Sequence, residues 1–172
     1  VVADFGFVDI LVNNAGIASR GKSVADTDAA EVEKLLAVHA IGAHQLSAAV
    51  LPSMRTRERG DIVFVSSVAT SNYSGNGAPY NMGKAAMEAL AFTLAKEERT
   101  NGIRVNIVAP GIVETDMGVR LARAMTGRRD MQDLRSVDAS MPFGRACQPF
   151  DVARVVLFLC SEQSFYVTGQ RI

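Results

Sequence analysis

The sequence predicts an α/β fold in which helices cover a parallel sheet. Three short runs rich in β-branched residues carry that expectation: DILVNNAG (9–16), DIVFVSSV (61–68) and IRVNIVAPG (103–111). Each is nearly all apolar before a small or turn-forming end, the pattern of strands buried on both faces. Helical segments separate the runs, and crossovers of that length join parallel strands with right-handed connections.

The elements follow in order. After the first run a helix is predicted from about Thr27 to Arg57, with Asp28 and Glu31 as a capping box and Leu35, Leu36, Val38, Leu46, Val50 and Leu51 as apolar positions. After the second run a helix is predicted from about Pro79 to Arg99. Pro79 suits a first helical turn and Asn101-Gly102 supplies a stop. Its stripe of Ala86, Met87, Leu90, Phe92 and Leu94 reads as packing surface, and a third helix is expected from about Phe150 to Cys160. Ligands of such sheets bind beyond the carboxyl ends of the strands. Asn13 to Gly16, Ser66 to Ser67 and Pro110 to Thr115 all fall there.

A length of 172 residues predicts one domain with a sizeable core. Lys+Arg and Asp+Glu both number 18, so no net field recruits nucleic acid or an anionic membrane. The apolar content lies in short runs, none of which approaches the roughly 18–20 residues of a membrane span. No signal-peptide pattern stands at the start. Cys147 and Cys160 lack metal-ligand spacing, and Cys160 in VVLFLC reads as a buried thiol, so a reducing, cytoplasmic setting is expected. His39 and His44 are poorly spaced to share a metal on one helix, and no metal site is predicted.

Chemistry concentrates in SSVATSNYSGNGAPYNMGK (66–84). Tyr80-x-x-x-Lys84 places phenol and ammonium on one helix face. A nearby positive charge is expected to lower the tyrosine pKa and tune it for proton transfer near neutral pH. A bend between strand and helix would return Ser67 to the Tyr80 oxygen. Alone, the pair is better read as a solvated helix surface; the coincidence of three strand ends raises it above that.

These segments, in this order and spacing, resemble the short-chain dehydrogenase/reductase family: NNAG at 13–16, Ser67, Tyr80-x-x-x-Lys84, the Asn106 segment, VAPG at 108–111 and ETDM at 114–117. LPSM at 51–54 and YVTGQ at 166–170 add to the likeness, which covers essentially the whole chain. It implies a Rossmann-type, doubly wound parallel sheet binding NAD or NADP, with hydride transfer between nicotinamide and a carbonyl or secondary alcohol. By the resemblance Tyr80 is the general acid/base, Lys84 lowers its pKa and holds the nicotinamide ribose, and Ser67, preferred to Ser66 by spacing, holds the substrate oxygen. Asn14, Ala15 and Gly16 would lie along the cofactor, Pro110, Gly111 and Val113 beside the nicotinamide, and Thr115 against its carboxamide or phosphates.

Two departures stand out. The family usually carries an asparagine in the helix before the serine strand, where AVHAIG (37–42) has His39. That imidazole either sustains a proton relay or simply packs between helices. The family's glycine-rich T-G-x-x-x-G-x-G loop is not among these residues, nor is the residue that selects NAD or NADP. The expectation is therefore one Rossmann-type domain, incomplete at its N-terminus and last strand, with DILVNNAG as an exposed apolar edge. A non-catalytic nucleotide-binding or scaffold protein of the same fold is the alternative. The segment from about Gly118 to Arg145 reads either as a substrate loop for an apolar molecule with a polar end or as a solvated helical lid. The ETDM pattern is shared with 3-oxoacyl-carrier-protein reductases and with many sugar, steroid and xenobiotic dehydrogenases of the family. A small-molecule substrate and a homodimer or homotetramer are expected. The long helices would pair, and a Gly83, Ala86, Ala89 face would serve either a partner or the chain's own sheet.

Overall fold

The computed structural model describes residues 1–172. A short helix α1 (Val2–Phe5) precedes strand β1 (Ile10–Asn13). Helices α2 (Ala29–Leu36) and α3 (Gly42–Met54) follow, then β2 (Gly60–Val65), the one-turn α4 (Ala69–Asn72) and the long α5 (Ala78–Glu98). Strand β3 (Ile103–Val108), α6 (Asp116–Thr126) and α7 (Pro149–Leu159) complete the order.

The three strands pair in parallel in the order β1-β2-β3. Register aligns Val12 with Val63 and Val63 with Asn106, so the carboxyl ends of all three strands lie side by side. The chain's last residues extend the sheet beyond β3. Ile107 N donates to Gln170 O at 2.8 Å and Ala109 N to Ile172 O at 2.7 Å, with Arg171 bridged in parallel to Ile107. Asn106 splices that edge: its Nδ2 donates to Val167 O at 2.9 Å and its Oδ1 accepts from Gln170 N at 3.0 Å.

Helices cover both faces. Met54, Ile62, Phe64, Met87, Ile103 and Ile107, all essentially inaccessible, join α3, the sheet and α5 into the main core. On the other face Leu159 of α7 packs against Val63 and Val108. This doubly wound arrangement is the one the sequence predicts. β1 is the open edge, with Ile10 and Val12 48% and 40% exposed.

Local chemistry explains the boundaries, with three corrections. Asp28 caps α2 by accepting from Glu31 N at 2.8 Å, but the predicted capping box is only half made. Glu31 turns instead to Arg20, whose backbone N it accepts at 2.6 Å. The predicted helix of about 27–57 is Ala29–Met54 and is not uniformly α-helical, because residues Ala37–Ile41 form a π turn. Its length and mean hydropathy of 1.4 also reach what a membrane span needs, contrary to the expectation that no segment does. In the fold its buried stripe of Leu35, Ala43, Val50, Leu51 and Met54 is core-facing. Of the two uses expected for the small-residue face, Gly83 serves the chain's own packing, against the neighbouring helix: a Cβ there would stand 2.9 Å from His39 Cδ2 and 3.1 Å from Leu35 O.

The segment after ETDM, expected as a substrate loop or a solvated helical lid, begins with α6 and is packed rather than solvated throughout. Val119, Ala122, Met131, Leu134 and Ala146 form a small core of their own. Glu114 pins it by accepting from Leu134 N at 2.9 Å, and Asp138 accepts from Ala146 N at 2.7 Å.

Candidate active site

The candidate groups gather at the carboxyl ends of the strands. Lys84 is 4% exposed, and its Nζ donates to Val65 O at 2.7 Å, which ties α5 to the end of β2. Burial holds its pKa down to about 8, while Glu88 one turn later pulls it upward. Tyr80 stands one turn earlier, with Lys84 Nζ 5.9 Å from its ring centroid. The Ser67 hydroxyl faces the Tyr80 hydroxyl closely enough to act on its ionisation, and Ser67 Oγ also accepts from Ala69 N at 3.2 Å.

The expected lowering of the Tyr80 pKa by Lys84 is not what the structure has. Burial raises the phenol pKa, and the Ser67 hydroxyl draws it back in part. The physical reason is placement: the ammonium donates to the Val65 carbonyl and stands over the Tyr80 ring, 5.9 Å from its centroid, with no hydrogen bond to the phenol oxygen. Shared helix face alone did not guarantee contact between the two polar tips.

The neighbouring serine has a different place. Ser66 is buried, its hydroxyl donating to Glu88 Oε1, and its backbone N donates to Val108 O at 2.7 Å. Val68 N reaches Pro110 O at 3.1 Å, so the turns after β2 and β3 are laced together. Pro110 and Val113 are half-buried and Gly111 is exposed on that rim. Thr115 caps α6, accepting from Gly118 N at 3.1 Å. The cap needs glycine at 118, since a Cβ there would stand 1.9 Å from Val113 O.

On the β1 side Asn13 is buried, with its Nδ2 on Ser47 Oγ at 3.3 Å and its Oδ1 unpartnered. Asn14, Ala15 and Gly16 are exposed at the strand end. The wall behind Gly16 is thin: a Cβ there would come within 3.1 Å of His39 Cε1 and 3.6 Å of Lys84 Nζ. His39 thus stands between the NNAG turn and the Tyr80–Lys84 pair, in edge-to-face contact with the Tyr80 ring at 5.4 Å. Its seat is the π turn, a widening of the helix that often accompanies functional sites.

His39 Nε2 lies 2.9 Å from Ile17 O, which can only accept, so Nε2 carries the proton and Nδ1 is an unprotonated acceptor. That Nδ1 is buried without a partner. Burial first, then the Lys84 charge, holds the His39 pKa down to about 4 from an ordinary 6.5, against the pull of the Ile17 carbonyl. Between pH 6.5 and 4 the unfolded chain takes up a proton at His39 that the folded chain refuses, so folding stability falls as pH drops through that window. The loss is expected on the order of 2–3 kcal/mol. His39→Asn should flatten the stability–pH curve between those values; denaturant midpoints that fall equally in both proteins would contradict the assignment.

Sequence reading did not single out Glu88 or Arg171. Glu88 lies one turn past Lys84, which was a usable signal; Arg171 meets it only through the added strand, for which no local signal exists.

A family model described as Enoyl-(Acyl carrier protein) reductase matches residues 1–172. Among curated proteins, a 3alpha-hydroxysteroid dehydrogenase of Mediterraneibacter gnavus is 36% identical over 170 residues, covering 99% of this chain and 64% of that protein. The 3-oxoacyl-[acyl-carrier-protein] reductase FabG of Escherichia coli is 35% identical over 171 residues, covering 99% of this chain and 66% of that one. Of solved structures, the L-sorbose reductase from Gluconobacter frateurii complexed with NADPH and L-sorbose superposes with a TM-score of 0.88 at 30% identity, over 99% of this chain and 66% of that one. An NAD+-bound xylitol dehydrogenase gives 0.87 at 29%, over 99% and 69%. The chain belongs to the short-chain dehydrogenase/reductase family. It spans about two thirds of the length of these relatives.

Proposed function

We propose that this chain carries the catalytic residues of an NAD(P)-dependent oxidoreductase acting on a carbonyl/secondary-alcohol pair. The observation that carries the reading is the convergence of Ser67, Tyr80 and Lys84, from the end of β2 and one face of α5, on a single rim. A scaffold has no need of that trio.

The site's own residues suit a dinucleotide's nicotinamide end. Lys84 has three donors and spends one on Val65 O, leaving N–H groups for a ribose. Exposed Asn14, Ala15 and Gly16 offer backbone close to Lys84, and Pro110, Gly111, Val113 and Thr115 rim the opposite side. When bound, NAD or NADP supplies or accepts the hydride. In reduction Tyr80 gives its phenolic proton to the substrate oxygen, and in oxidation the phenolate takes it back. Ser67 donates to that same oxygen and steadies the charge developing on it. A phenol raised by burial favours the protonated, donor form in the resting protein. His39 stays neutral at physiological pH and braces the Tyr80 ring.

The small core under α6 supports a defined wall for a small-molecule substrate rather than a loose lid. The segment does not name the substrate. Exposed apolar side chains on the two long helices, Ile41, Leu46, Met82 and Phe92, support pairing into a homodimer or homotetramer. One Rossmann-type domain accounts for all three strands and their covering helices. Cys147 and Cys160 are free thiols, which suits a cytoplasmic home, and balanced charge gives neither nucleic acid nor an anionic membrane a handle. The test is an assay of NADH and NADPH oxidation against a panel of ketones, keto-sugars, 3-oxo thioesters and oxosteroids. Turnover of at least one class is expected; folded protein inert across both cofactors and every class would overturn the reading.

A further inference from the structure

Glu88 is the hub of a buried network that the proton-transfer chemistry does not use. It is 9% exposed, and its Oε1 accepts from Ser66 Oγ, from Thr70 Oγ1 at 2.8 Å and from Arg171 Nε at 3.0 Å. Arg171 Nη2 in turn donates to Thr70 Oγ1 at 2.8 Å and to the backbone carbonyl of Ser67 at 3.1 Å. Three parts of the fold thus meet at one carboxylate: α5, the turn that carries Ser67, and the strand beside β3.

A buried ion pair is weak evidence for stability, since apolar side chains of similar size often pack as well. What an apolar pair cannot do is hold the Ser67 turn by its polar atoms. The network grips the hydroxyls at 66 and 70 and the carbonyl of residue 67 itself, and Thr70 Oγ1 also lies 3.0 Å from Ser67 O. With its carbonyl held by Arg171 and Thr70, the Ser67 backbone is fixed at the end of β2, and the position from which its hydroxyl approaches Tyr80 is fixed with it. The guanidinium suits this task because its planar fork reaches carboxylate, hydroxyl and carbonyl at once, which a lysine cannot.

We propose that Glu88 and Arg171 are a pair of positioning residues that clamp the Ser67 turn onto α5 and so set the approach of the Ser67 hydroxyl to Tyr80. The proposal rests on the oxidoreductase reading for its consequence in catalysis, but the clamp itself is a statement about Ser67 and Tyr80.

Four variants test it: Glu88→Gln, Arg171→Lys, Glu88→Met/Arg171→Met, and Ser67→Ala as the reference for a lost serine. Thermal midpoint, kcat and KM, and the titration of the Tyr80 phenol by NMR are read on each. The groups facing Tyr80 are Ser67 from the turn, Lys84 from its own helix and His39 from the π turn. The double variant should recover a midpoint near that of the unaltered protein, because neither charge is left buried alone. Its kcat should nevertheless fall on the order of ten- to a hundredfold with KM little changed, the cost of a misplaced contact group. Its Tyr80 should titrate higher than in the unaltered protein, as in Ser67→Ala, because the serine no longer draws the phenol pKa down. Arg171→Lys should recover only part of the rate. A double variant with unchanged kcat and unchanged Tyr80 titration would overturn the clamp. If the unaltered protein turns over no carbonyl, the oxidoreductase reading falls by itself, and the Tyr80 titration still decides the clamp: a raised value supports it, an unchanged one refutes it.

Discussion

Replacing Tyr80 with Phe should lower turnover on the order of a thousandfold while leaving the fold intact. The phenol oxygen is the atom that gives or takes the substrate's proton, and no second hydroxyl can stand in for it. Ser67 is placed to hold a substrate oxygen, Lys84 is committed to Val65 O, and His39 is neutral with its proton on Ile17 O. Removing one oxygen from a half-buried side chain keeps the edge-to-face contact with His39, so the thermal midpoint should move by no more than a few degrees. Paired measurements of kcat and thermal midpoint check this. Turnover within a factor of three of the unaltered protein would remove Tyr80 from the chemistry.

Lys84→Met should separate function from stability. Activity is expected to fall on the order of a hundredfold, since the buried ammonium is the donor proposed to hold the nicotinamide ribose beside Tyr80. Stability at pH 7 should rise. The Lys84 pKa is held down to about 8 from an ordinary 10.5, chiefly by burial, so the folded protein bears the cost of an internal charge at neutral pH. The unfolded chain binds the extra proton between pH 8 and 10.5, so the unaltered protein gains stability as pH rises through that window. Methionine removes the charge and its pH dependence together. Allowing about 1 kcal/mol for the donor lost to Val65 O, a net gain of about 2 kcal/mol at pH 7 should remain, shrinking toward pH 10. Denaturant unfolding of both proteins across pH 7–10 checks the sign. A variant that is less stable at pH 7 would show that the charge is satisfied rather than tolerated.

Such a residue, costly in the fold and kept at the rim, is what a site under functional constraint presents. His39 is a second one. Its orphaned Nδ1 and depressed pKa both arise because the π turn turns an imidazole inward against Gly16 and Gly83.

β2 and β3 were legible because burial on both faces writes a continuous apolar run, and Val63, Ile107 and Phe64 indeed lie fully inside. β1 writes the same run but is not buried on both faces, because it is the sheet edge and leaves Ile10 and Val12 exposed. The helix starts were legible where a single side chain does the capping, as Asp28 does. Tyr80, Lys84 and Ser67 could be brought together because two sit on one helix and the third ends the preceding strand. What escaped depends on contacts distant in the chain. The π turn follows from packing His39 beneath Gly83, which no local propensity announces. Arg171 reaches Glu88 because the β3 backbone and Asn106 together tie residues 167–172 alongside β3. The expected drop in the Tyr80 pKa failed for a similar reason: the carbonyl that captures Lys84 belongs to another element, the end of β2.

The most direct measurement is a titration of the protein with NADH and with NADPH, following the emission of the reduced nicotinamide. The chain contains no Trp, so little protein emission interferes. Saturable enhancement with at least one of the two, weakened in Lys84→Met, is the result this account predicts. Emission that rises only in proportion to added cofactor, on protein shown to be folded, would contradict it.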